Sequence, residues 1–201
     1  MKNLKKLIAI LMVIALMIPC TAMAATESPS KAKLTSKNAK VTLTTSSYTY
    51  NGKTKSPSVK KVTYNGKTLK AGTDYTVKFT KHKTAGTYYV TVTGKGKYSG
   101  SLKAKYTIKQ ATQKKVKVSN KYKATKAKTF KKKSKSYTFK VTGVKDKAKV
   151  TYKTSSKKIK VKNGKLVISK GIKKGTYKVT VKVAKTKNYK AYSKTVTVKV
   201  K

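Results

Sequence analysis

The segments Tyr177-Lys-Val-Thr-Val-Lys-Val183 and Thr195-Val-Thr-Val-Lys-Val200 place valine at every second residue and lysine or threonine between. Period-two alternation puts successive side chains on opposite faces of a strand, so one face meets a core and the other meets water. Tyr88-Tyr-Val-Thr-Val-Thr93 carries the same pattern. Val, Thr and Tyr are the residue types that fit a pleated, half-buried surface. No stretch holds an apolar stripe at helical spacing over three turns. The pattern predicts an all-β chain with no helix after residue 30 longer than about two turns.

Turn chemistry divides the strands. Asn51-Gly52, Asn65-Gly66 and Asn163-Gly164 each lie between strand-like residues. Asn-Gly accepts the positive φ of a two-residue connection, so three β-hairpins are expected. The chain also repeats itself. Gly86-Thr-Tyr-Tyr-Val-Thr-Val92 returns as Gly175-Thr-Tyr-Lys-Val-Thr-Val181. Lys97-Tyr98 matches Asn188-Tyr189, and Lys105-Tyr-Thr-Ile-Lys109 roughly matches Lys194-Thr-Val-Thr-Val-Lys199. The closing hairpin of one unit thus recurs at the end of a second. We expect two tandem sandwich domains, at 33–110 and 113–201, joined through residues 110–114.

The first 24 residues read as a secretory signal peptide. Lys2, Lys5 and Lys6 make a basic start, residues 7–18 are apolar, and Ala22-Met23-Ala24 is an A-x-A cleavage signal. Cleavage is expected after Ala24, leaving Ala25 as the new N-terminus. The apolar run is short for a bilayer span, and no other run reaches 18 residues. Residues 25–40 form a Ser/Thr/Lys-rich lead, of which 25–32 is read as flexible. The C-terminal residues read as a strand and not as a wall-sorting signal.

Charge narrows the chemistry. The chain has 53 basic residues, all lysine, against Glu27, Asp74 and Asp146, for a net charge of +50. The signal segment takes three lysines and no acid with it, so the mature charge is +47. Three acids far apart in sequence offer no carboxylate pair for acid/base catalysis and no oxygen cage for calcium. His82 and Cys20, the single residues of their kinds, do not make a zinc site. No catalytic residue, cofactor or metal ligand is expected. The mature form keeps no cysteine, so no disulfide supports it.

A charge of +47 on 177 residues implies strong self-repulsion unless counterions or a polyanion screen it. Most lysines are explained as outward strand positions. The densest stretch, residues 114–135, is the candidate polyanion-binding segment: Lys114, Lys115, Lys121, Lys123, Lys126, Lys128, Lys131, Lys132, Lys133 and Lys135. Lysine, unlike arginine, favours diffuse attraction over bidentate geometry. A genome bias toward lysine codons is the rival explanation of the composition. Tyr88, Tyr98, Tyr106, Tyr177 and Tyr189 are read as core or hydroxyl-tipped edge residues at matched strand positions. His82, in Lys81-His-Lys83, is read as a loop residue.

An ordered series runs through the first unit: Tyr50-Asn-Gly-Lys53, Pro57-Ser-Val59, Leu69-Lys-Ala-Gly-Thr-Asp-Tyr-Thr-Val-Lys-Phe79 and Ala85-Gly-Thr-Tyr-Tyr-Val-Thr-Val-Thr-Gly-Lys-Gly-Lys-Tyr-Ser-Gly100. It covers most of 47–109 and resembles the immunoglobulin-like repeat modules of secreted and surface proteins of Gram-positive gut bacteria, among them the MBG-type domains. Lys81-His82-Lys83 departs from the Asn-rich turn of that pattern. The second unit is similar, more loosely, to the lysine-rich modules that close such chains. The resemblance implies immunoglobulin-like sandwiches, an extracellular address and no shared catalytic residue. The function expected is a secreted, non-enzymatic surface protein held at the wall or matrix by lysine binding to anionic polymers, without nucleic-acid sequence preference. Its alternatives are an adhesin for mucin glycans, glycosaminoglycans or extracellular DNA, and a spacer without ligand.

Overall fold

A computed structural model describes residues 30–201. The expected signal peptide and most of the lead lie outside the described residues. Residues 32–201 form one compact unit. Its sixteen strands are β1 (Ala32–Lys33), β2 (Ala39–Leu43), β3 (Ser47–Thr49), β4 (Val59–Tyr64), β5 (Lys67–Thr68), β6 (Tyr75–Phe79), β7 (Gly86–Gly94), β8 (Tyr98–Ser99), β9 (Ser101–Lys109), β10 (Lys117–Asn120), β11 (Lys135–Thr142), β12 (Val150–Thr154), β13 (Ile159–Lys162), β14 (Lys165–Ile168), β15 (Gly175–Val183) and β16 (Tyr192–Val200). Among the described residues the helical element is one 3-10 turn, Ala127–Phe130.

No sheet mixes strands from the two halves of this unit. In the first half, β2-β4-β5 faces β3-β9-β7-β6, with a small parallel β1-β8 pair beside them. In the second, β10-β11-β14-β13 faces β12-β15-β16. Val62, Leu69, Tyr75, Val92 and Leu102 fill the first interior with Leu34, and Val90, Tyr106 and Ile108 continue it. Phe139, Ile159, Leu166 and Ile168 meet Val179, Val181, Val198 and Val200 in the second. Each such side chain contributes roughly 1.5–3 kcal/mol by leaving water.

The repeat in sequence is a repeat in structure. β7 and β15 are both nine residues long, and the valines at 90, 92, 179 and 181 are all fully buried. Tyr88 and Tyr177 stand at the same place in them. Each phenol donates to the carbonyl four residues upstream, Thr84 O and Lys173 O, both at 2.9 Å. A tyrosine near the start of this strand that ties back to the preceding corner is a hallmark of the immunoglobulin fold. A Cβ on Gly86 would sit 3.0 Å from the Tyr88 hydroxyl, which accounts for the glycine. In each half a segment also adds in parallel to the last strand, β3 to β9 and Thr125, by a single bridge to Val200, to β16. The chain is all-β and built of immunoglobulin-like sandwiches.

Two of the three expected hairpins form. Tyr64 pairs with Lys67 across Asn65-Gly66, and Lys162 with Lys165 across Asn163-Gly164. All four turn residues have positive φ, between 44° and 82°. Asn51-Gly52 is not a hairpin. The strand before it, β3, pairs in parallel with β9, and the chain then crosses to the other sheet. Asn51 Oδ1 instead accepts the Lys53 N–H at 3.0 Å, a local turn of the asparagine type. The lead also ends earlier than expected. Ala32 and Lys33 already pair with β8, and Leu34 is 2% exposed in the core.

The ladders solve a charge problem. Outward lysines on β15 and β16 face hydroxyl residues across the strands: Lys178 opposite Thr197, Lys182 opposite Ser193, Lys199 opposite Thr176. Lys182 meets Thr151, and Thr180 meets Lys153, on the other side. The same checkerboard pairs Lys103 with Thr91, Lys78 with Thr91, Lys40 with Thr63 and Lys140 with Ser119. Like charges directly opposite are destabilising, and alternation avoids them. Among the ladders of the described strands, Lys162 opposite Lys165 is the exception.

Two outcomes are expected. Lys162→Thr should raise the unfolding free energy by about 0.2–1 kcal/mol and Thr180→Lys lower it by a similar amount, both at low salt. Urea denaturation repeated at about 1 M salt should erase the Lys162→Thr gain, because the Debye length is then roughly 3 Å. It should only reduce the Thr180→Lys loss, which includes the Thr180–Thr195 hydroxyl bond at 3.1 Å. Tyr88→Phe and Tyr177→Phe should each cost about 1 kcal/mol, the net value of a lost hydrogen bond. Equal midpoints for wild type and the two phenylalanine variants would show that these corners hold nothing.

Candidate functional site

The ten candidate lysines do not make one surface. Nine are exposed and Lys135 is half-buried. Lys114 and Lys115 precede β10, whose first residue, Lys117, lies opposite Thr142. β10 carries the chain about 13 Å away from that end at 3.3 Å per residue. Residues 121–135 then wrap the far end of the second sandwich. There the 3-10 turn bonds to the last residues, Ala127 N–H donating to Lys201 O at 2.6 Å, and the Gly171 N–H donates to Phe130 O at 2.9 Å. Tyr122, Phe130 and the partner strands hold this loop by burial, so Lys121, Lys123, Lys126, Lys128, Lys131, Lys132, Lys133 and Lys135 form a distal basic end. Lys173 and Lys174, not singled out in the sequence, precede β15 at the same end, where Gly175 lies opposite Val200.

Lys114 and Lys115 belong instead to the joint between the sandwiches. The loop after β15 clamps the connection there. Gln110 Nε2 donates to Thr186 O at 2.7 Å, Ala111 N–H to Asn188 O at 2.9 Å, and Lys190 N–H to Ala111 O at 2.8 Å. Asn188 is the hub. Its Oδ1 accepts the Ala85 N–H at 3.0 Å, from the loop that opens β7, and its Nδ2 donates to Asp146 Oδ2 at 3.2 Å. Thr186 Oγ1 donates to the same carboxylate oxygen at 3.1 Å. The other described acid, Asp74, accepts the Lys70 N–H at 2.8 Å in the turn before β6. Both carboxylates are thus engaged by neutral donors.

Tyr189 stands in this loop and not on a strand, which corrects its reading as a matched strand position. Its ring packs edge-on against Tyr50, with centroids 5.4 Å apart and planes at 81°. Burial raises the Tyr50 phenol above the ordinary tyrosine value, and the nearby Asp146 and Tyr189 add to the shift. A cleft of about 440 Å³ opens beside the pair, lined by Thr49, Tyr50, Asn51, the connection, Lys114, Lys115, Lys145 and Tyr189. The tight approach of Gly143, φ 74°, to the Lys115 carbonyl holds one wall; any side chain there would collide with it. Gln113 Oε1, almost fully buried, accepts the Lys145 N–H at 3.1 Å and fixes another.

The remaining aromatic candidates are structural. Tyr106 is fully buried, and Tyr98 packs edge-on against Tyr64 at 5.4 Å. His82 is in a loop, as expected, but its ring is not idle: it stacks on Tyr88 at 3.8 Å and 12°. No group of three or more His, Cys, Asp or Glu side chains gathers among the described residues. No described helix is long and apolar enough to cross a membrane.

No family model and no curated protein matches the chain. Among solved structures it is similar to the N-terminal Ig1-2 module of the Drosophila receptor protein tyrosine phosphatase DLAR, at 12% identity and TM-score 0.28, over 82% of this chain and 99% of that one. It is also similar to a chimeric titin Z1Z2-Z1Z2 tandem carrying a fibronectin GRGDS peptide, at 11% identity and TM-score 0.26, over 81% and 100%. The assignment of the fold rests on the sheets and tyrosine corners described above.

Asn188→Ala removes two side-chain bonds from the joint and leaves the Ala85 N–H without its acceptor. Small-angle scattering should then show a broader spread of distances between the sandwiches than in wild type. The unfolding free energy should fall by about 1–3 kcal/mol. An unchanged scattering profile would mean that the joint does not depend on Asn188.

Proposed function

We propose that the chain is a secreted, non-enzymatic surface protein of the MBG-related, Gram-positive kind, held at the cell wall by attraction between its lysines and anionic wall polymers. The signal peptide, cleaved after Ala24, delivers it. One observation carries this reading: exposed lysines cover both sandwiches, while Asp74 and Asp146 are tied to neutral donors. The positive field is thereby left for an external counter-charge. Teichoic acids are the first candidates among wall polymers. The distal end, with Lys121 to Lys135 and its neighbours, and the joint supply two separate places of contact. Lysine ammonium groups attract without fixed geometry, so affinity depends on charge density more than on the identity of the sugar or base.

Counterion release makes the logarithm of affinity fall roughly linearly with the logarithm of salt concentration, with a slope that grows with the number of contacts. Cells washed with about 1 M salt should release the protein into the supernatant, since screening then acts within roughly 3 Å. Lys131→Gln, Lys132→Gln, Lys133→Gln and Lys135→Gln together should flatten the slope for purified wall polymer, and any one alone should change it little. Protein found already free in the medium would favour the adhesin reading. An absence of binding to wall polymer, heparin and DNA at about 20 mM salt, far below physiological screening, would leave only the spacer.

A further inference from the structure

We infer that the cleft at the joint is a binding subsite for one or two units of a phosphodiester-linked polyol chain, gripped by both sandwiches at once. The inference rests on the wall-polymer reading and narrows it from a diffuse field to a place. Four observations carry it. The volume, about 440 Å³, is within the range of sites that enclose a small ligand. Three ammonium-bearing side chains, Lys114, Lys115 and Lys145, line it, and they come from two separate segments of the second sandwich. Tyr50 and Tyr189 supply aromatic wall, one from each sandwich, already locked edge-to-face. Thr49, Asn51 and Thr112 add polar groups to the same lining.

The chemistry of that lining selects the ligand. The ammonium groups suit phosphodiester oxygens, which carry a single spread charge and need no bidentate fork. Tyrosine rings and lysine stems offer apolar contact to the carbon chain of a polyol, and the phenol and threonine hydroxyls offer bonds to its hydroxyls. Asp146 is the one described carboxylate close to the cleft. Its bonds from Thr186 and Asn188 hold it in the loop wall, and three lysines outnumber it. A volume of about 440 Å³ matches one or two units of a flexible single chain. On the sheet faces of the second sandwich the lysines stand among hydroxyls, where only the field acts, and the basic end beyond β10 has no tyrosine pair from the two sandwiches beside its lysines.

The test is a titration of the isotope-labelled mature chain with a synthetic glycerol phosphate trimer at 150 mM salt, followed by amide resonances. Saturable one-to-one shifts centred on Asn51, Ala111, Lys145 and Tyr189 are expected. Lys114→Gln, Lys115→Gln and Lys145→Gln together should weaken trimer binding at least tenfold. Lys40→Gln, Lys61→Gln and Lys103→Gln remove the same charge from exposed strand positions of the first sandwich and should change it less than twofold. Thermal midpoints of both triple variants, measured alongside, check that the fold is intact. Should the cleft triple not fold, the wild-type shift map decides alone. Equal losses from the two triples, shifts scattered over the sheet faces, or equally tight binding of a sulfated disaccharide would overturn the subsite. Wall polymer that binds at low salt while the trimer does not would sink the subsite and spare the surface function. Failure of the long polymer itself would remove the wall-polymer reading, and the subsite with it.

Discussion

A lysine without an acid to pair with is stabilised chiefly by water. With 53 lysines and three acids, that holds for nearly every cation in the chain. Burying one unpaired costs several kcal/mol, so the interior has to exclude them all. It does: Gln113 is the one polar residue buried among the described residues. A helix would set lysines at i and i+4 against each other, with a single glutamate, Glu27, to interleave. A strand needs only a hydroxyl between them. The pairing of lysine with threonine or serine across β7-β9 and β12-β15-β16 is that solution, repeated in both halves.

This constraint also explains which interactions hold the fold together when only two acids, Asp74 and Asp146, fall among the described residues. The work passes to small, neutral devices. Four positive-φ residues close two hairpins, and two tyrosine corners tie β7 and β15 to the loops before them. Asp74 and Asp146 serve as hydrogen-bond acceptors in turns. Even a lysine joins in: Lys158 Nζ donates to Gly171 O at 2.8 Å, closing the loop behind β14. Each such bond is modest, about 1 kcal/mol net, but none asks for a buried charge.

The features legible in the sequence were those set by local rules. Valine alternation located β7, β15 and β16, and Asn65-Gly66 and Asn163-Gly164 fixed their hairpins because both flanks alternate on the same sheet. Asn51-Gly52 has the same dipeptide but joins strands of different sheets, and no local signal distinguishes that case. Leu34 is a lone apolar residue in a polar lead, so its burial was invisible without the β1-β8 pairing. The joint was harder still. Asn188 and Tyr189 aligned with Lys97 and Tyr98, yet one pair lies in a clamp and the other where a turn enters a short strand. The candidate lysine stretch was contiguous in sequence, and β10 separates its two parts in space.

That separation changes how the charge can act. A field summed over both sandwiches attracts any polyanion, and it weakens together everywhere as salt rises. A cleft with aromatic walls adds contacts that salt does not screen, so a ligand seated there would lose less affinity than one held on the sheet faces. Because Tyr50 and Asn51 come from the first sandwich and Lys145 and Tyr189 from the second, such a ligand also bridges the joint that Asn188 holds. Occupancy and domain alignment are then linked by mass action, and anything that loosens the joint weakens the site by the same free energy. The clamp around Asn188 thus ties the segments that carry Tyr50 and Tyr189 to one loop, and on the proposed function it would keep the two walls of the cleft in register before a polymer is bound.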